Sequence, residues 1–343
     1  MNVVGEPEPD GSGVGHRRTG LPRLRLPDEL GVLFALVLLV TLVGAHNSDF
    51  VRPSNLLNLV ASNSFFGMIA LSAVFLLALG EIDLSVGWNF NLSAVLAALA
   101  MTHGVDPWIG AGIGVLAGAA LGLLNGLFST GLHLPVIIVT LGTYSAFHGL
   151  SLVLSHSSAV VPPDIEGSFF RFSQSHLGRV PTLAIIFVVL AVVLHVALQR
   201  TRFGFRVQSI GSNAEAARLA GIPIARSKIL VLVLVGAVCG LAGSLSVGQF
   251  GAIDTNSGSD FLLTVVAAVI IGGTPLSGGS GTVIGAFFGT LIIATIASGI
   301  VFFNIDATWS TFVTGAVIIL AVAVDQGVKW QRVRRTERRL EHE

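Results

Sequence analysis

Apolar runs recur along nearly the whole chain after residue 30, each ended by a short polar or glycine- and proline-rich break. A hydrocarbon core of about 30 Å is crossed by about 20 mostly apolar residues in a helix, so the pattern predicts an all-α membrane protein rather than a barrel. The runs fall near 31–46, 56–79, 90–103, 108–128, 134–154, 181–199, 229–249, 260–274, 283–302 and 308–325, which makes about ten spans. Several are shorter than a full crossing and are punctuated by Gly, Pro and Asn. Such spans are expected to be broken or re-entrant, because irregular backbone is tolerated at membrane depth only where protein or an aqueous cavity satisfies it.

Composition agrees with the pattern. Of 343 residues, 52% are hydrophobic and 11% charged, with a mean hydropathy of +0.83, far from the balance of a water-soluble domain. The one cysteine, Cys239, lies inside an apolar run; it excludes an intramolecular disulfide and reads as a small buried side chain.

The net charge is zero, but its distribution is one-sided and sets the orientation. Residues 1–30 form a polar tail with Arg17, Arg18, Arg23 and Arg25, read as poorly ordered and as a tail rather than a cleaved leader. The loop at 200–228 carries Arg200, Arg202, Arg206, Arg218, Arg226 and Lys228, and the tail at 326–343 carries Lys329, Arg332, Arg334, Arg335, Arg338 and Arg339. Only Arg52, Arg171 and Arg179 remain for the opposite face. The rich side is expected to be cytoplasmic, with both termini inside and the permease domain spanning 31–325.

Glycines mark how the helices pack. In "IGAGIGVLAGAALGLLNG", Gly110, Gly114, Gly118, Gly122 and Gly126 recur every four residues and share one helix face. Gly236 and Gly240 repeat the device in the seventh span, and Gly281, Gly285 and Gly289 at the ninth. Close backbone approach replaces the hydrophobic drive that lipid does not supply. "LSVG" at Leu84–Gly87 and again at Leu245–Gly248 suggests, with the glycine pattern, an inverted repeat of about five helices.

Two turns carry unusual chemistry. "GEIDLSVGWN" (Gly80–Asn89) places Glu81 and Asp83 at a membrane boundary, where Asp83 or Ser85 can cap the next helix ahead of Gly87. "GGTPLSGGSG" holds Gly272, Gly273, Gly278 and Gly279 on the same side, and glycines at such density demand unusual backbone angles. In the basic loop, Asn213 or Ser212 can cap a short helix through Arg218, which Gly221 and Pro223 stop.

These segments resemble the transmembrane subunit of bacterial ABC importers of the ribose-type, monosaccharide permease family. The resemblance runs in order through "GEIDLSVG" at 80–87, "PVIIVTLGTYSAFHGL" at 135–150, "TRFGFRVQSIGSNAEAARLAGIP" at 201–223, "GSDFLLTVVAAVIIGGTPLSGGSGTVIGA" at 258–286 and the last apolar run, covering about residues 50–325. Glu81 stands where many relatives have Gly. The resemblance implies a permease without chemistry of its own, paired as a homodimer in the bacterial inner membrane, fed by an external solute-binding protein and driven by separate ATP-binding cassette subunits. It also implies that Asn213, Glu215, Ala216, Ala217, Arg218 and Gly221 form the coupling helix that seats in a cleft of the ATPase.

ATP and Mg belong to that partner, because this chain has no "GK" dipeptide and hence no phosphate-binding P-loop. No cofactor or metal, and no nucleic acid, is expected here. Polar side chains inside spans point away from lipid, which makes Asn63, Ser64, Trp88, Asn89, Asn91, Thr140, Thr143 and Tyr144 candidates for a path suited to a neutral hydroxyl-rich solute; the same residues could equally bridge helices. Another cargo, such as a nucleoside or amino acid, fits the same framework. An ion-coupled transporter needs ionisable groups at mid-membrane, whereas the carboxylates fall in tails or at span ends. An intramembrane enzyme is disfavoured by the absence of HExxH and GxSxG.

Overall fold

The computed structural model describes residues 28–306 and, beyond them, 308, 309, 311–313, 315–317, 319, 320 and 323. The tail at 1–27, the basic tail at 326–343 and much of the tenth predicted span lie outside the described residues. Twelve α-helices are described: α1 (Asp28–His46), α2 (Pro53–Leu79), α3 (Val86–Thr102), α4 (Pro107–Gly131), α5 (Val136–Leu154), α6 (Ser168–Gln174), α7 (Thr182–Arg200), α8 (Arg202–Ser212), α9 (Ala214–Leu219), α10 (Ile224–Phe250), α11 (Phe261–Ile271) and α12 (Val283–Phe302). A two-residue hairpin, β1 (His176–Leu177) with β2 (Val180–Pro181), follows α6.

Seven of these helices are long and apolar enough to cross a membrane: α1, α2, α4, α5, α7, α10 and α12. The third and eighth predicted spans are real helices but shorter, α3 with 17 residues and α11 with 11. At 1.5 Å per residue α11 covers only about 16 Å, half a bilayer. The other half of that crossing is the non-helical stretch 251–260, which descends alongside α3: the amide of Asn91 donates to the carbonyls of Asp254 (2.8 Å) and Ser257 (3.0 Å). A Cβ on Gly258 would meet the Gly87 carbonyl at 2.7 Å. The expected broken span is therefore built as an unwound entry held by one buried carboxamide, which supplies donors that lipid cannot. Asn91→Leu is expected to strand both carbonyls and cost about 2 kcal/mol or more, read as a lowered unfolding temperature of the detergent-solubilised protein with membrane insertion retained.

The glycine faces meet as a pair. On α4, a Cβ at Gly118 would lie 2.8 Å from the Gly240 amide nitrogen, and one at Gly122 would lie 2.8 Å from the Leu232 carbonyl carbon. From the other side, a Cβ at Gly240 would reach Val115 Cα at 2.8 Å, and one at Gly236 would reach Gly122 Cα at 3.1 Å. α4 and α10 thus pack backbone to backbone, with α3 laid across both. The pair α11 and α12 uses the same device, since a Cβ at Gly272 would meet the Gly285 carbonyl carbon at 2.5 Å.

α2 is the most deeply enclosed span and lies against α7, α10, α11 and α12. Its C-terminus at Gly80 and that of α10 at Gly251 both close with a glycine in the left-handed region. The two copies of "LSVG" take different positions: the first opens α3, and the second lies within α10.

Connections sort to two ends. One end joins the 80–85 and 272–282 turns to the basic 200–223 segment; at the far end the Val160–Ile253 bridge and a bond from Trp108 Nε1 to Ser168 Oγ (2.9 Å) tie the longest loop to the helix bundle.

Candidate functional site at the basic end

The α11–α12 turn is bonded to the end of α2, to α8 and to α7. The amide of Gly279 donates to the Ala78 carbonyl (2.9 Å), Ser212 Oγ donates to the Gly279 carbonyl (3.2 Å), and Gln199 Nε2 donates to the Gly281 carbonyl (3.0 Å). A Cβ on Gly211 would sit 2.6 Å from the Gly279 nitrogen, and one on Gly278 would sit 2.9 Å from Gly80 Cα. The α2–α3 turn, the α11–α12 turn and the C-terminus of α8 therefore form one junction. Gly273, Gly278 and Gly279 do take positive φ there; Gly272, with φ −66°, is needed for space against α12 instead.

Asp83 and Glu81 behave differently although two residues apart. Asp83 is buried, and its Oδ1 accepts from the Ser85 amide (2.7 Å) and Ser85 Oγ (2.6 Å); Asn125 Nδ2 in turn donates to Ser85 Oγ (2.9 Å). Asp83 thus closes the turn before α3 and pins it to α4. Ser85 holds the N-cap position but makes no side-chain cap bond. The Leu84 amide donates to Thr140 Oγ1 (3.1 Å), fastening the same turn to α5. Glu81 forms an ion pair with Lys228, in the second turn of α10, with both side chains about four-fifths covered. This pair joins the α2–α3 turn to the helix that follows the basic loop.

The short α9 is set by its sequence. Asn213 Oδ1 accepts from the Ala216 amide (2.9 Å), Arg218 pairs with Glu215 (2.6 Å) on the surface, and Gly221 leaves the helix at φ +77°. Ala217 is buried, whereas Ala216, Gly221, Phe205 and Leu219 are uncovered, Leu219 to 81%. Apolar side chains at a water-facing end are unfavourable unless something covers them.

The polar residues inside the spans are engaged with protein. Asn63 Nδ2 and Ser64 Oγ donate to carbonyls one turn back in α2, at 2.7 and 2.8 Å. Asn89 Nδ2 donates to the Gly118 carbonyl (3.3 Å) and its Oδ1 accepts from Ser93 Oγ (3.1 Å), tying α3 to α4. Asn91 Oδ1 also accepts from Ser151 of α5. Thr140 is buried, and Thr143 and Tyr144 are half-covered. Trp88 is buried, stacked on His148 (centroids 3.7 Å) and edge-on to Tyr144 (5.9 Å), and its Nε1 and His148 Nε2 have no partner among the described residues. Of the partners found here, His148, Asn125 and Lys228 escaped the sequence reading. His148 had a signal, one turn beyond Tyr144; the other two meet partners too distant in sequence to pair by spacing.

A family model described as branched-chain amino acid transport system / permease component matches residues 55–322. The chain belongs to this permease family. It is 35% identical to the ribose import permease protein of Bacillus subtilis over 87% of this chain and 92% of that one. It is 33% identical to the D-allose transport system permease protein of Escherichia coli, again over 87% and 92%. Among solved structures, a metal-chelate type ABC transporter in an inward-facing conformation shares the fold, with a TM-score of 0.52 and 17% identity over 86% of this chain and 99% of that one. No group of three or more His, Cys, Asp or Glu among the described residues could hold a metal ion.

Proposed function

We propose that this permease is the membrane-spanning subunit of an ATP-driven importer that passes a monosaccharide from an external binding protein to the cytoplasm. The observation that carries the reading is the junction at the basic end: an uncovered α8–α9 hairpin, with Leu219 and Phe205 facing outward, is bonded through Ser212 to the turn that follows α11, and that turn is bonded through Gly279 to the end of α2. A partner gripping that hairpin can move both turns at once. The excess of Arg and Lys makes this end cytoplasmic, with both termini on that side, and the missing P-loop puts ATP and Mg on the partner.

Two further features support alternating access. α10 packs on α3 and α4 as α2 packs on α11 and α12, the relation expected of two inverted halves. On α5, Gly142, Ser145, Ala146 and Gly149 share an uncovered face at helical spacing, which suits contact with a second copy of the chain. The sugar class comes from the ribose and allose relatives; the description of the family model favours a second reading, a branched-chain amino acid.

The test is reconstitution in vesicles with the companion ATPase and binding protein. Accumulation of ribose, allose or arabinose on ATP addition, abolished without the ATPase and insensitive to ionophores, supports the reading. Uphill accumulation by the chain alone refutes it, and leucine uptake without sugar uptake establishes the amino acid alternative.

A further inference from the structure

The short length of α11 moves one acid away from the membrane boundary. Asp260 is the residue before α11, and α11 ends at the basic-end turn after about 16 Å of helix. Its neighbours give the same depth independently. Asp260 shares a cavity of about 220 Å³ with Asn63, Phe66, Phe261, Thr264 and Ile293. Asn63 lies about 15 Å along α2 from its far end, and Ile293 lies near the middle of α12. The expectation that carboxylates sit only in tails or at span ends is therefore corrected, because the span that begins at Asp260 is only half a crossing.

A carboxylate at mid-depth is costly unless water, a partner or a ligand meets it. Asp260 makes no cap bond to its own helix and takes part in none of the three ion pairs among the described residues, yet its side chain is exposed. Asn63 spends its Nδ2 on the Leu59 carbonyl and keeps its Oδ1 as a free acceptor. Phe66 and Phe261 stand edge to face across the cavity wall, with centroids 6.3 Å apart. The cavity thus offers strong acceptors and aromatic C–H faces but has no cationic side chain among the described residues of its wall.

We propose that this cavity is the mid-membrane contact site for the solute, with Asp260 accepting hydrogen bonds from its hydroxyl groups. A carboxylate binds a hydroxyl through a charge-assisted bond about twice as strong as a neutral one, and a phenyl ring covers the apolar face of a sugar. A zwitterionic amino acid could set its ammonium on Asp260, but its carboxylate would then meet no cationic side chain among the described lining residues, so the site favours a neutral polyol. This rests on the importer reading and deepens it.

The experiment separates the two. Thr264, whose hydroxyl is spent on the Asp260 carbonyl (2.9 Å), is replaced by cysteine as a reporter in the cavity wall; the one native thiol, Cys239, is buried. The variant alone, in vesicles, is treated with a small charged thiol reagent with and without millimolar ribose, allose, arabinose or galactose, and with leucine as control. Labelling that slows about threefold or more with an aldose but not with leucine is expected. The protection should vanish in Thr264→Cys/Asp260→Ala and return with Asp260→Glu. In the full importer, Asp260→Ala should lower aldose uptake about tenfold or more, with Asp260→Glu retaining a substantial part. An unlabelled reporter, protection that persists without Asp260, or wild-type uptake in Asp260→Ala would overturn the site. None of these bears on whether the wild-type importer works, which the reconstitution decides; absent ATP-driven sugar uptake by the wild type would instead remove the reading on which the site rests.

Discussion

Gly118→Val is expected to leave no stable, monodisperse permease. A single Cβ at position 118 would run into the Gly236 carbonyl and lie 2.8 and 2.9 Å from the Gly240 nitrogen and Cα, all of them backbone atoms of α10 that cannot rotate away. Relief requires α4 and α10 to separate, and the separation propagates. It opens the Gly114–Gly240 and Gly122–Leu232 approaches, loosens α3 where Asn89 holds the Gly118 carbonyl, and removes the contact of Ser244 Oγ with the Ala111 carbonyl (3.0 Å). Overpacking a dense core costs about 1–3 kcal/mol when side chains can yield; here only backbone is available to yield, so the loss should exceed that range. Gly112→Val is the matched control, since that glycine has nothing within 4 Å on the same helix. Size-exclusion profiles and unfolding temperatures of the two variants decide the matter. Equal behaviour would mean that the α4–α10 seam does not hold the fold.

That seam was legible in the sequence because its signal is periodic. Five glycines spaced by four can only line one face of a helix, and a second glycine pair in the seventh span supplied the mate. The cap of α9 by Asn213 was legible for a similar reason, since Asn three residues before a bonded amide is a local device. What escaped was fixed by contacts at long range. "AIDTNSGSD" before α11 reads as an external connector on polarity alone; only the bonds from Asn91, more than 160 positions earlier, reveal that it packs along α3 and shortens the span. Hydropathy averages over that boundary, so Asp260 looked like a residue at the membrane edge. Glu81 was visible as an oddity, but its partner Lys228 is separated from it by most of the domain. Identity of four common residues carries little information, and the two "LSVG" copies take different positions relative to their helices, one opening α3 and one within α10.

Gly221→Asp should produce a folded permease that no longer imports. Gly221 follows α9 with φ +77°, and a Cβ there would meet nothing of this chain within 4 Å. The substitution therefore costs only the left-handed penalty of a non-glycine residue, about 1–2 kcal/mol, reduced because Asp tolerates that region better than most. It cannot break the α4–α10 seam or the junction at Gly278 and Gly279, so insertion and unfolding temperature should change little. The new carboxylate instead projects from the turn two residues after the uncovered Leu219, on the surface that the proposed partner covers. Burying an unpaired charge in that interface costs several kcal/mol, enough to weaken binding of the ATPase subunit by more than tenfold and to abolish ATP-dependent uptake, whereas Gly221→Ala, with at least as much strain and no charge, should retain most of both. Pull-down of the ATPase by each variant, alongside uptake, separates the effects. Undiminished uptake by Gly221→Asp would place the seat of the ATPase elsewhere than on the α8–α9 hairpin, and the junction that joins this hairpin to the α2 and α11 turns would then have to be moved by something other than a nucleotide-driven partner.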